Sequence, residues 1–408
     1  MSASLRIALI SAFPPGKQSL NEYGLHLAKG LAAHQDVAEV IVLADTVSAG
    51  TAELDLDPKI RIKRCWSFNS FATLPVLLKE LRGLKADGAI WNLQMATFGD
   101  SELRAGLGLF GPLAARLTGT PSGVIAHNMV DGVDLEQTML RGQRVRQALV
   151  RIGGRVIARA LTSASYLTVT LRGYYDNLRD RHPGADVHLV PHGTFETADI
   201  PLRPLAERPR RIVTMGKFGT YKRLETLLAA FDILRWIPGN ADLQLQIGGS
   251  DHPNTPGYLA ELAASRKDDP GVRFIGYIAE DDIASFFADA RASVFDYTAT
   301  TGSSGVLHQT ASFGTIPVFP RIGDFVDITE DEGIHGLYYA PQDAQEMAAQ
   351  LQRALDPDAT LQLLVDANRV AAMGFPFAWV IDFHVARLSD LAARKTDLHH
   401  PTTTPQTA

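Results

Sequence analysis

Two series of short apolar runs, each alternating with segments of helical periodicity, constrain the fold of this chain more than any other feature. Such alternation is typical of βα units, in which helices connect parallel strands. It predicts strands at 6–13, 39–44, 60–65, 88–93, 123–127, 166–170 and 188–191, and then at 211–215, 243–248, 272–275, 292–295 and 316–319. We therefore expect an α/β protein with two Rossmann-like domains, each built on a parallel sheet.

A proline-rich stretch lies between the two series and contains Pro201, Pro204 and Pro209. Prolines at this density between periodic segments indicate a linker. With 408 residues, the chain is long enough for two domains that each have a core. The predicted organisation is an N-terminal domain at 1–195, a linker at 196–210, a C-terminal domain at 211–375 and a disordered, Pro- and Thr-rich tail at 397–408.

Charge and composition narrow the class of protein. The formal net charge of -6 argues against general nucleic-acid binding, which needs a basic surplus. The single cysteine, Cys65, excludes an internal disulfide and fits a reducing compartment. The N-terminal residues show no signal-peptide pattern, and no apolar run approaches the roughly 20 residues of a membrane-spanning helix. We therefore expect a cytoplasmic protein.

The segment 213–225 carries the first candidate binding residues. A predicted strand ends in Gly216-Lys217, and Lys222-Arg223 follow a short loop, just before a segment of helical periodicity. Cations between a strand and a helix are suited to bind a polyanion, most often a phosphate or diphosphate. The glycine spacing of a Walker loop is absent. A surface loop with solvated lysines explains this segment equally well.

A second candidate lies in the small-residue loop 300–305, between an apolar run and a predicted helix. Backbone N–H groups at a helix start can bond hydroxyls or phosphate oxygens, and Gly302 and Gly305 allow a ligand to come close. The alternative is a tight turn with a serine N-cap. The presence of both segments in the same half of the chain favours ligand binding.

With both segments considered, the chain resembles glycosyltransferase family 4, whose members are retaining, nucleotide-sugar-dependent enzymes of GT-B architecture. The resemblance extends from Arg6 to about Leu391 and rests on 7–15 followed by Tyr23, Gly216-Lys217 with Lys222, Gly314-Thr315-Ile316-Pro317-Val318, and Gly336-Leu337 with Pro341 and Asp343. It implies two Rossmann-like domains that face each other across a deep cleft, with the helix at 377–396 completing the N-terminal acceptor domain. The C-terminal domain would bind the nucleotide sugar.

The resemblance also implies roles for individual residues. Lys217 and Lys222 would stabilise the departing diphosphate, and His127 would hydrogen-bond the donor sugar or contact the acceptor. The other donor-binding candidates are Gly216, Arg223, Thr301, Gly302, Ser303, Ser304, Gly305 and Gln309, and the acceptor-side loop contains Ser19, Asn21 and Tyr23. The alternative for His127 is a structural role, with Asn128 or a backbone carbonyl as its partner.

This sequence departs from the family pattern at several of these positions. The family has two glutamates with seven residues between them, and these positions hold Thr301 and Gln309 here. Gln309 can bond a ribose only as a neutral group, and Thr301 supplies no carboxylate. Lys217 replaces the family's arginine, and Gln18 and Ser19 replace its paired glycines. These departures bear on the prediction of which sugar is transferred more than on the prediction of the fold.

We expect neither a metal nor a cofactor. The spacing of Asp131 and Asp134 has no strong claim to coordinate Mg²⁺ or Mn²⁺. The two aspartates fit a capped helix start better. The lysines at 217 and 222 would supply the positive charge that a metal otherwise provides.

The region 141–160 predicts a basic amphipathic helix. Arg144, Arg151, Arg155 and Arg159 recur on one face, and Val145, Leu149, Ile152 and Val156 on another. Such a helix can lie on the inner face of an anionic membrane as a peripheral contact or bind a polyprenyl phosphate acceptor. The alternative, which we favour from the sequence, is that the apolar stripe packs on the sheet and the arginines are solvated.

The sequence therefore predicts a metal-independent, retaining glycosyltransferase. It would transfer a hexose from a UDP- or GDP-sugar to a glycan, lipid-linked or small-molecule acceptor, as in polysaccharide biosynthesis. One alternative is a degenerate GT-B protein that binds a nucleotide sugar or a partner without turnover, which the missing glutamates favour. The other is a nucleotide-sugar epimerase, which would need clustered carboxylates around the sugar.

Overall fold

The computed structural model describes residues 4–16, 18–129, 144–195, 201–299 and 302–399, without the side chains of 145, 146, 324 and 395–399. By their contacts these residues form two compact units. The first unit contains the described residues up to Pro191 and those from Phe377 onward, and the second is His192–Pro376. The predicted domain ends at 195 and 375 lie near these divisions, and residues 196–200 of the predicted linker fall outside the described ranges.

The first unit is built on a parallel sheet of seven described strands. In chain order these are β1 (Leu5–Ile10), β2 (Val37–Asp45), β3 (Ile60–Trp66), β4 (Gly88–Leu93), β5 (Ser122–Ala126), β6 (Tyr166–Val169) and β7 (Val187–Leu189). Their order across the sheet is β3-β2-β1-β4-β5-β6-β7. The central strands are almost continuously apolar because helices cover both faces of a parallel sheet.

The second unit contains a parallel sheet of six described strands. They are β8 (Arg211–Phe218), β9 (Gln244–Asp251), β10 (Val272–Gly276), β11 (Ala292–Val294), β12 (Ile316–Pro320) and β13 (Leu337–Tyr339), in the order β10-β9-β8-β11-β12-β13. The sequence prediction located twelve of these thirteen strands and missed β13. β13 is a three-residue strand defined by its pairing with β12, a contact that the local sequence pattern does not show.

Helices connect the strands of both sheets. The first unit contains α1 (Asn21–Ala33), α2 (Thr73–Leu84), α3 (Glu102–Leu109), α4 (Gly111–Leu117), α5 (Arg144–Thr162), α6 (Arg172–Arg181) and α14 (Phe377–His399). The second contains α7 (Glu225–Arg235), α8 (Tyr258–Ser265), α9 (Glu280–Ala288), α10 (Gly305–Ser312), α11 (Gly323–Glu332), α12 (Ala344–Leu355) and α13 (Ala359–Met373). The alternation of strand and helix confirms the predicted α/β fold class.

The last helix, α14, packs on the first unit through buried side chains. Ile381 touches Gly30 of α1, Leu388 touches Gly88 of β4, and His384 Nδ1 lies 2.9 Å from the Tyr166 hydroxyl. The helix extends to His399, so residues 397–399 are helical where the sequence predicts a disordered tail. Residues 400–408 of that tail lie outside the described ranges.

Candidate functional site

The chain order of the second sheet changes direction at β8, which lies between β9 and β11. The loops that leave neighbouring strands on either side of such a point diverge, and they open a crevice at the carboxyl end of the sheet. The loop after β8 contains Tyr221 and Lys222, and the loop after β11 contains Tyr297 and Gly302. The two segments that the sequence analysis singled out are therefore neighbours in space.

Hydrogen bonds fasten the Lys222 loop to the loop after β11. The Arg223 amide donates to the Asp296 carbonyl at 2.7 Å, and the Thr298 amide donates to the Tyr221 carbonyl at 2.8 Å. The buried Asp296 carboxylate also accepts a 3.0 Å bond from the Leu227 amide in the first turn of α7. A carboxylate is favourable at this end of a helix. Asp296 therefore connects both loops to α7.

Two tyrosines surround the half-buried ammonium group of Lys222. Nζ lies 4.8 Å from the ring centre of Tyr297 and 5.8 Å from that of Tyr221, which are cation–π distances. Burial lowers the pKa of Lys222, but the two tyrosine hydroxyls outweigh this effect, and the pKa lies above its usual value. Lys222 is therefore a charged group at neutral pH, and its surroundings fix its position.

Two glycines bring the backbone close to this lysine. A Cβ atom on Gly216 would lie 3.3 Å from Lys222 Cδ, so the bare glycine leaves room for the lysine chain. Gly249 pairs with Gly216 across β8 and β9 and has φ +131°. A Cβ atom there would lie 1.9 Å from the Gly216 carbonyl oxygen. Only glycine fits at position 249, because both the torsion angle and the contact exclude a side chain.

Lys222 lines a small pocket of about 90 Å³ that also includes the start of α10. The Ser304 side chain caps this helix by accepting a bond from the Leu307 amide. The first N–H groups of a helix have no partner within it and give this end positive character. The buried Ser303 hydroxyl has no hydrogen-bond partner among the described residues. A cation, helix amides and a polar hydroxyl thus meet in one pocket, whose lining residues are Tyr221, Lys222, Tyr297, Gly302, Ser303, Ser304, Gly305, Val306 and Phe325.

The remaining donor-site candidates lie at different distances from this pocket. Lys217 is half-buried at the end of β8, and Gln309 is half-buried on α10, one turn beyond the pocket residues. The exposed Arg223 guanidinium makes two 3.0 Å bonds to the carboxylate of Glu225 and is not part of the pocket lining. Thr301 lies outside the described residues. The pocket lining therefore contains one cation and no described carboxylate.

A second polar cluster lies at the carboxyl edge of the first sheet. His127 follows β5, and its Nε2 lies 2.7 Å from Asn92 Oδ1, while Asn92 Nδ2 donates to Ser11 Oγ at 2.9 Å. Because Asn92 presents its oxygen to the ring, His127 carries its proton on Nε2. Burial lowers the pKa of His127 to about 3, so the ring is neutral. The partner is Asn92, whereas Asn128 bonds the Met95 amide instead.

The acceptor-side candidates surround this histidine. The Tyr23 ring packs edge-on against His127 with 4.3 Å between the ring centres, and Tyr23 is only 4% exposed. Asn21 begins α1 and donates to the Gly16 carbonyl at 2.7 Å. Ser19 is half-buried in the same loop. Asn21 thus stabilises the loop, and Tyr23 packs against His127.

Sequence reasoning missed a buried polar network behind α10. His308 Nε2 lies 2.9 Å from Glu332 Oε2 at the end of α11, and both residues are buried. His308 Nδ1 lies 3.0 Å from Thr194 Oγ1, and the His192 ring stacks on His308 at 5.4 Å. The same His192 ring lies against Gly305. The members of this network are far apart along the chain. The sequence therefore shows only that a histidine and a glutamate are present, and not that they are in contact.

The structure changes the interpretation of α5. Leu149, Ile152 and Val156 are 64%, 57% and 49% exposed, so the sequence-based preference for packing this apolar stripe on the sheet is wrong. Leu161 and Ala158 pack into the core instead. The arginines at 144, 151, 155 and 159 are all exposed. No helix in the described ranges is both long enough and apolar enough to span a bilayer.

Metal ligands are not clustered in the described part of the chain. No group of three or more His, Cys, Asp or Glu side chains there is placed to hold an ion. Asp131 and Asp134 lie outside the described residues. The absence of a metal site stays a prediction, because these two aspartates are the candidates that sequence analysis named.

Comparison with known proteins gives a family match for part of the chain, and it gives the fold. Residues 209–357 match the model of the family described as glycosyl transferases group 1. Sucrose-phosphate synthase from Thermosynechococcus elongatus is 19% identical, with a TM-score of 0.68 over 97% of this chain and 98% of that one. Anabaena HepE in complex with UDP-glucose is 14% identical, with a TM-score of 0.65 over 94% and 98%. No curated protein matches the chain in sequence.

A third similar structure is the UDP-forming α,α-trehalose-phosphate synthase from Burkholderia xenovorans, in complex with glucose-6-phosphate. It is 12% identical, with a TM-score of 0.68 over 94% of this chain and all of that one. The matched residues 209–357 include the Lys222 loop, the start of α10 and the pocket between them. Residues 209–357 are therefore similar to the glycosyl transferases group 1 family, and the similar structures share the GT-B fold of two parallel sheets with helices.

Proposed function

We propose that the chain transfers a hexose from a UDP-sugar to an acceptor hydroxyl, with retention of the anomeric configuration and without a metal ion. The observation that carries this proposal is the convergence of Lys222 and the N-terminal turn of α10 on one pocket. Fixed positive groups of this kind stabilise a departing diphosphate. UDP is preferred over GDP because two of the similar structures are described as UDP-glucose-bound and UDP-forming.

Each charged group has a role in this reaction. The bond between the anomeric carbon and the diphosphate breaks, and Lys222, Lys217 and the α10 amides stabilise the negative charge that develops on the phosphate oxygen. The acceptor oxygen bonds to the same face of the anomeric carbon, and its proton passes to the departing phosphate. No protein base is needed in this scheme. It fits a pocket whose described lining contains no carboxylate.

Neutral side chains would form the hydrogen bonds to the nucleoside and the sugar. Gln309, one turn along α10, would bond the ribose hydroxyls, and Ser303 offers a buried hydroxyl without a described partner. His127 is neutral and would act as a hydrogen-bonding group toward sugar or acceptor rather than as an acid. The acceptor class stays open between a glycan, a lipid-linked sugar and a small molecule.

The decisive experiment is a thermal-shift screen against UDP, GDP, ADP and their glucose or mannose conjugates. A ligand that binds only the native state raises the melting temperature, so the base is identified directly. Lys222→Ala should remove the shift, whereas Lys267→Ala, at an exposed lysine of the same unit, should keep it. No shift with any nucleotide would refute the proposal.

Turnover separates transfer from the alternatives. Incubation of the bound nucleotide sugar with candidate acceptors, followed by NMR of the product, gives the anomeric configuration. An α-linked product from an α-linked donor supports retention. Binding without transfer or hydrolysis under all conditions would favour the degenerate binding protein, and inversion at another sugar carbon would favour an epimerase.

We also propose that α5 contacts an anionic membrane surface. The exposed stripe of Leu149, Ile152 and Val156 lies on a helix with four exposed arginines, in a chain of net charge -6. Apolar side chains flanked by cations are suited to the interface of an anionic bilayer.

Sedimentation with vesicles tests this contact. The chain should bind phosphatidylglycerol-rich vesicles and not phosphatidylcholine vesicles, and the double variant Leu149→Ser/Ile152→Ser should lose binding. Arg273→Gln, at an exposed arginine of the second unit, is the control. Equal binding of the double variant and the wild type would exclude α5 as the contact.

A further inference from the structure

A histidine that the reaction scheme does not use, His252, follows β9, the strand that pairs with the Lys217 end of β8. β8 and β9 run in parallel register, with Lys217 opposite Ser250 and Phe218 opposite Asp251. Side chains alternate between the two faces of a strand, so His252, two positions after Ser250, is on the face of Lys217. Its backbone amide donates to the Phe218 carbonyl at 2.7 Å, which continues the pairing by one residue.

The neighbouring groups fix the tautomer of this histidine. The Asn254 amide donates to His252 Nδ1 at 3.2 Å, so Nδ1 is an acceptor and the proton of the neutral ring is on Nε2. Partial burial lowers the pKa of His252, and the positive charges of Lys217 and Lys222 lower it further. The nearby Asp251 carboxylate accepts bonds from the Gly257 and Leu259 amides. Lys217 and Lys222 are thus the charged groups that act on the His252 ring.

We propose that His252 is a third group of the diphosphate site, and that it takes up a proton when a nucleotide diphosphate binds between it and the two lysines. The proposal rests on the proposed function, because it requires that Lys217 and Lys222 bind the diphosphate. In the empty site the ring is neutral, since a third positive charge would be repelled. A bound diphosphate reverses the local potential and favours the imidazolium. The added proton goes to Nδ1, where it replaces the 3.2 Å bond accepted from the Asn254 amide, and the charged ring donates from Nε2 to a phosphate oxygen.

The sign of the pH dependence follows from this exchange. The pKa of His252 is depressed in the free protein and raised in the complex, so the complex binds the additional proton. Donor affinity therefore increases as the pH falls through the pKa of the complex, and it becomes constant below the depressed pKa of the free protein. Each unit by which the diphosphate raises the pKa strengthens binding about tenfold at low pH.

Calorimetric titration with UDP-glucose tests the proposal. Its two phosphates are both esterified and do not titrate near neutral pH, so proton uptake comes from the protein. Titrations of the full-length chain in buffers of different ionisation enthalpy, between about pH 5 and 8, measure the protons taken up. The wild type should take up a substantial fraction of a proton and bind several-fold more tightly at the acidic end.

Three variants separate a binding role from a structural one. His252→Gln should bind UDP-glucose with little proton uptake and little pH dependence, and His252→Lys, with its permanent charge, should restore tight, pH-independent binding. His335→Gln, at an exposed histidine beyond the end of α11, is the matched control and should behave as the wild type. Calorimetric melting without ligand shows whether each variant is folded.

The contrary outcomes are distinct. If the wild type does not bind UDP-glucose, the proposed UDP-sugar site is wrong and this inference is wrong with it. If the wild type and His335→Gln bind it without proton uptake, the donor site stands and the role of His252 is refuted. Uptake that persists in His252→Gln also refutes that role, because another group, such as His192 beside Gly305, then supplies it.

Discussion

The buried pair of His308 and Glu332 gives the sharpest test of how the second unit is held together. The Thr194 hydroxyl has one hydrogen, which it donates to the Ala372 carbonyl at 2.8 Å. His308 Nδ1 must therefore donate to Thr194, and Nε2 faces the Glu332 carboxylate at 2.9 Å. Apart from this contact, neither the Glu332 oxygens nor His308 Nε2 have a hydrogen-bond partner among the described residues. The pair is thus satisfied only by the proton between its two members.

Removal of one member of the His308–Glu332 pair should destabilise the second unit, whereas removal of both members should not. Glu332→Ala leaves a buried imidazole without its partner, a change that typically costs about 3–5 kcal/mol. For a unit of this size, each kcal/mol lowers the melting temperature by about 2–4 °C, so the expected decrease is roughly 6–20 °C. Glu332→Gln should cost only about 1 kcal/mol, because its amide donates to Nε2. The double variant His308→Leu/Glu332→Met should lie near the wild type, since an apolar pair replaces an ionic one.

Differential scanning calorimetry of the full-length chain measures these changes in melting temperature. For each variant, the unfolding transition that shifts is compared with the same transition of the wild type. A two-unit chain does not unfold as a single two-state system, so each transition is analysed separately. If Glu332→Ala melts within about 2 °C of the wild type, the inferred dependence of the pair on one shared proton is wrong. A double variant as unstable as Glu332→Ala would show that packing, rather than charge, causes the loss.

Four further predictions concern the site. Lys217→Ala and Lys222→Ala should each lower turnover by roughly ten- to a thousand-fold with unchanged circular dichroism, and full activity in both would reject the diphosphate contact. Gln309→Glu should preserve or strengthen UDP binding in calorimetric titrations, because a carboxylate bonds ribose hydroxyls more strongly, and weaker binding would contradict the ribose assignment. Activity should survive excess EDTA, whereas a loss that Mn²⁺ restores would direct attention to Asp131 and Asp134. The pKa of His127 is about 3 in the folded chain, below its usual 6.5, so stability should fall as the pH drops through 6.5. His127→Gln should reduce that slope in urea titrations, and an unchanged slope would exclude a buried neutral ring.

Local sequence patterns predicted the parts of the fold that local interactions determine. The apolar runs located the central strands β1 and β4 because these are buried on both faces, and the cations at 217 and 222 were recognisable because they lie between a strand and a helix. The tyrosine that holds Lys222 was not recognisable, because Tyr297 follows a different strand and reaches the lysine only when the sheet forms. The His308–Glu332 pair was missed for the same reason.

Amphipathic periodicity identified α5 but not what covers its apolar side. Leu149 and Leu161 are both apolar residues of the same helix, yet one is exposed and the other buried. Helical spacing places residues on a face and does not state which face meets the protein. His252 was missed because a single histidine after a strand gives no signal until the register with β8 is known.

The position of the pocket in the second sheet has an evolutionary consequence. β8 and β11 pair through Ala292 with Ile212 and Ser293 with Val213, and most of the pocket wall comes from the loops beyond these pairs and from the start of α10. Substitutions at half-buried loop positions such as Ser303 and Ser304 therefore leave the strand register unchanged. A lineage can exchange an acidic side chain for a neutral one here and alter its ligand while it keeps a foldable protein. The scaffold thus makes the chemistry of this crevice easy to change by mutation, one loop residue at a time.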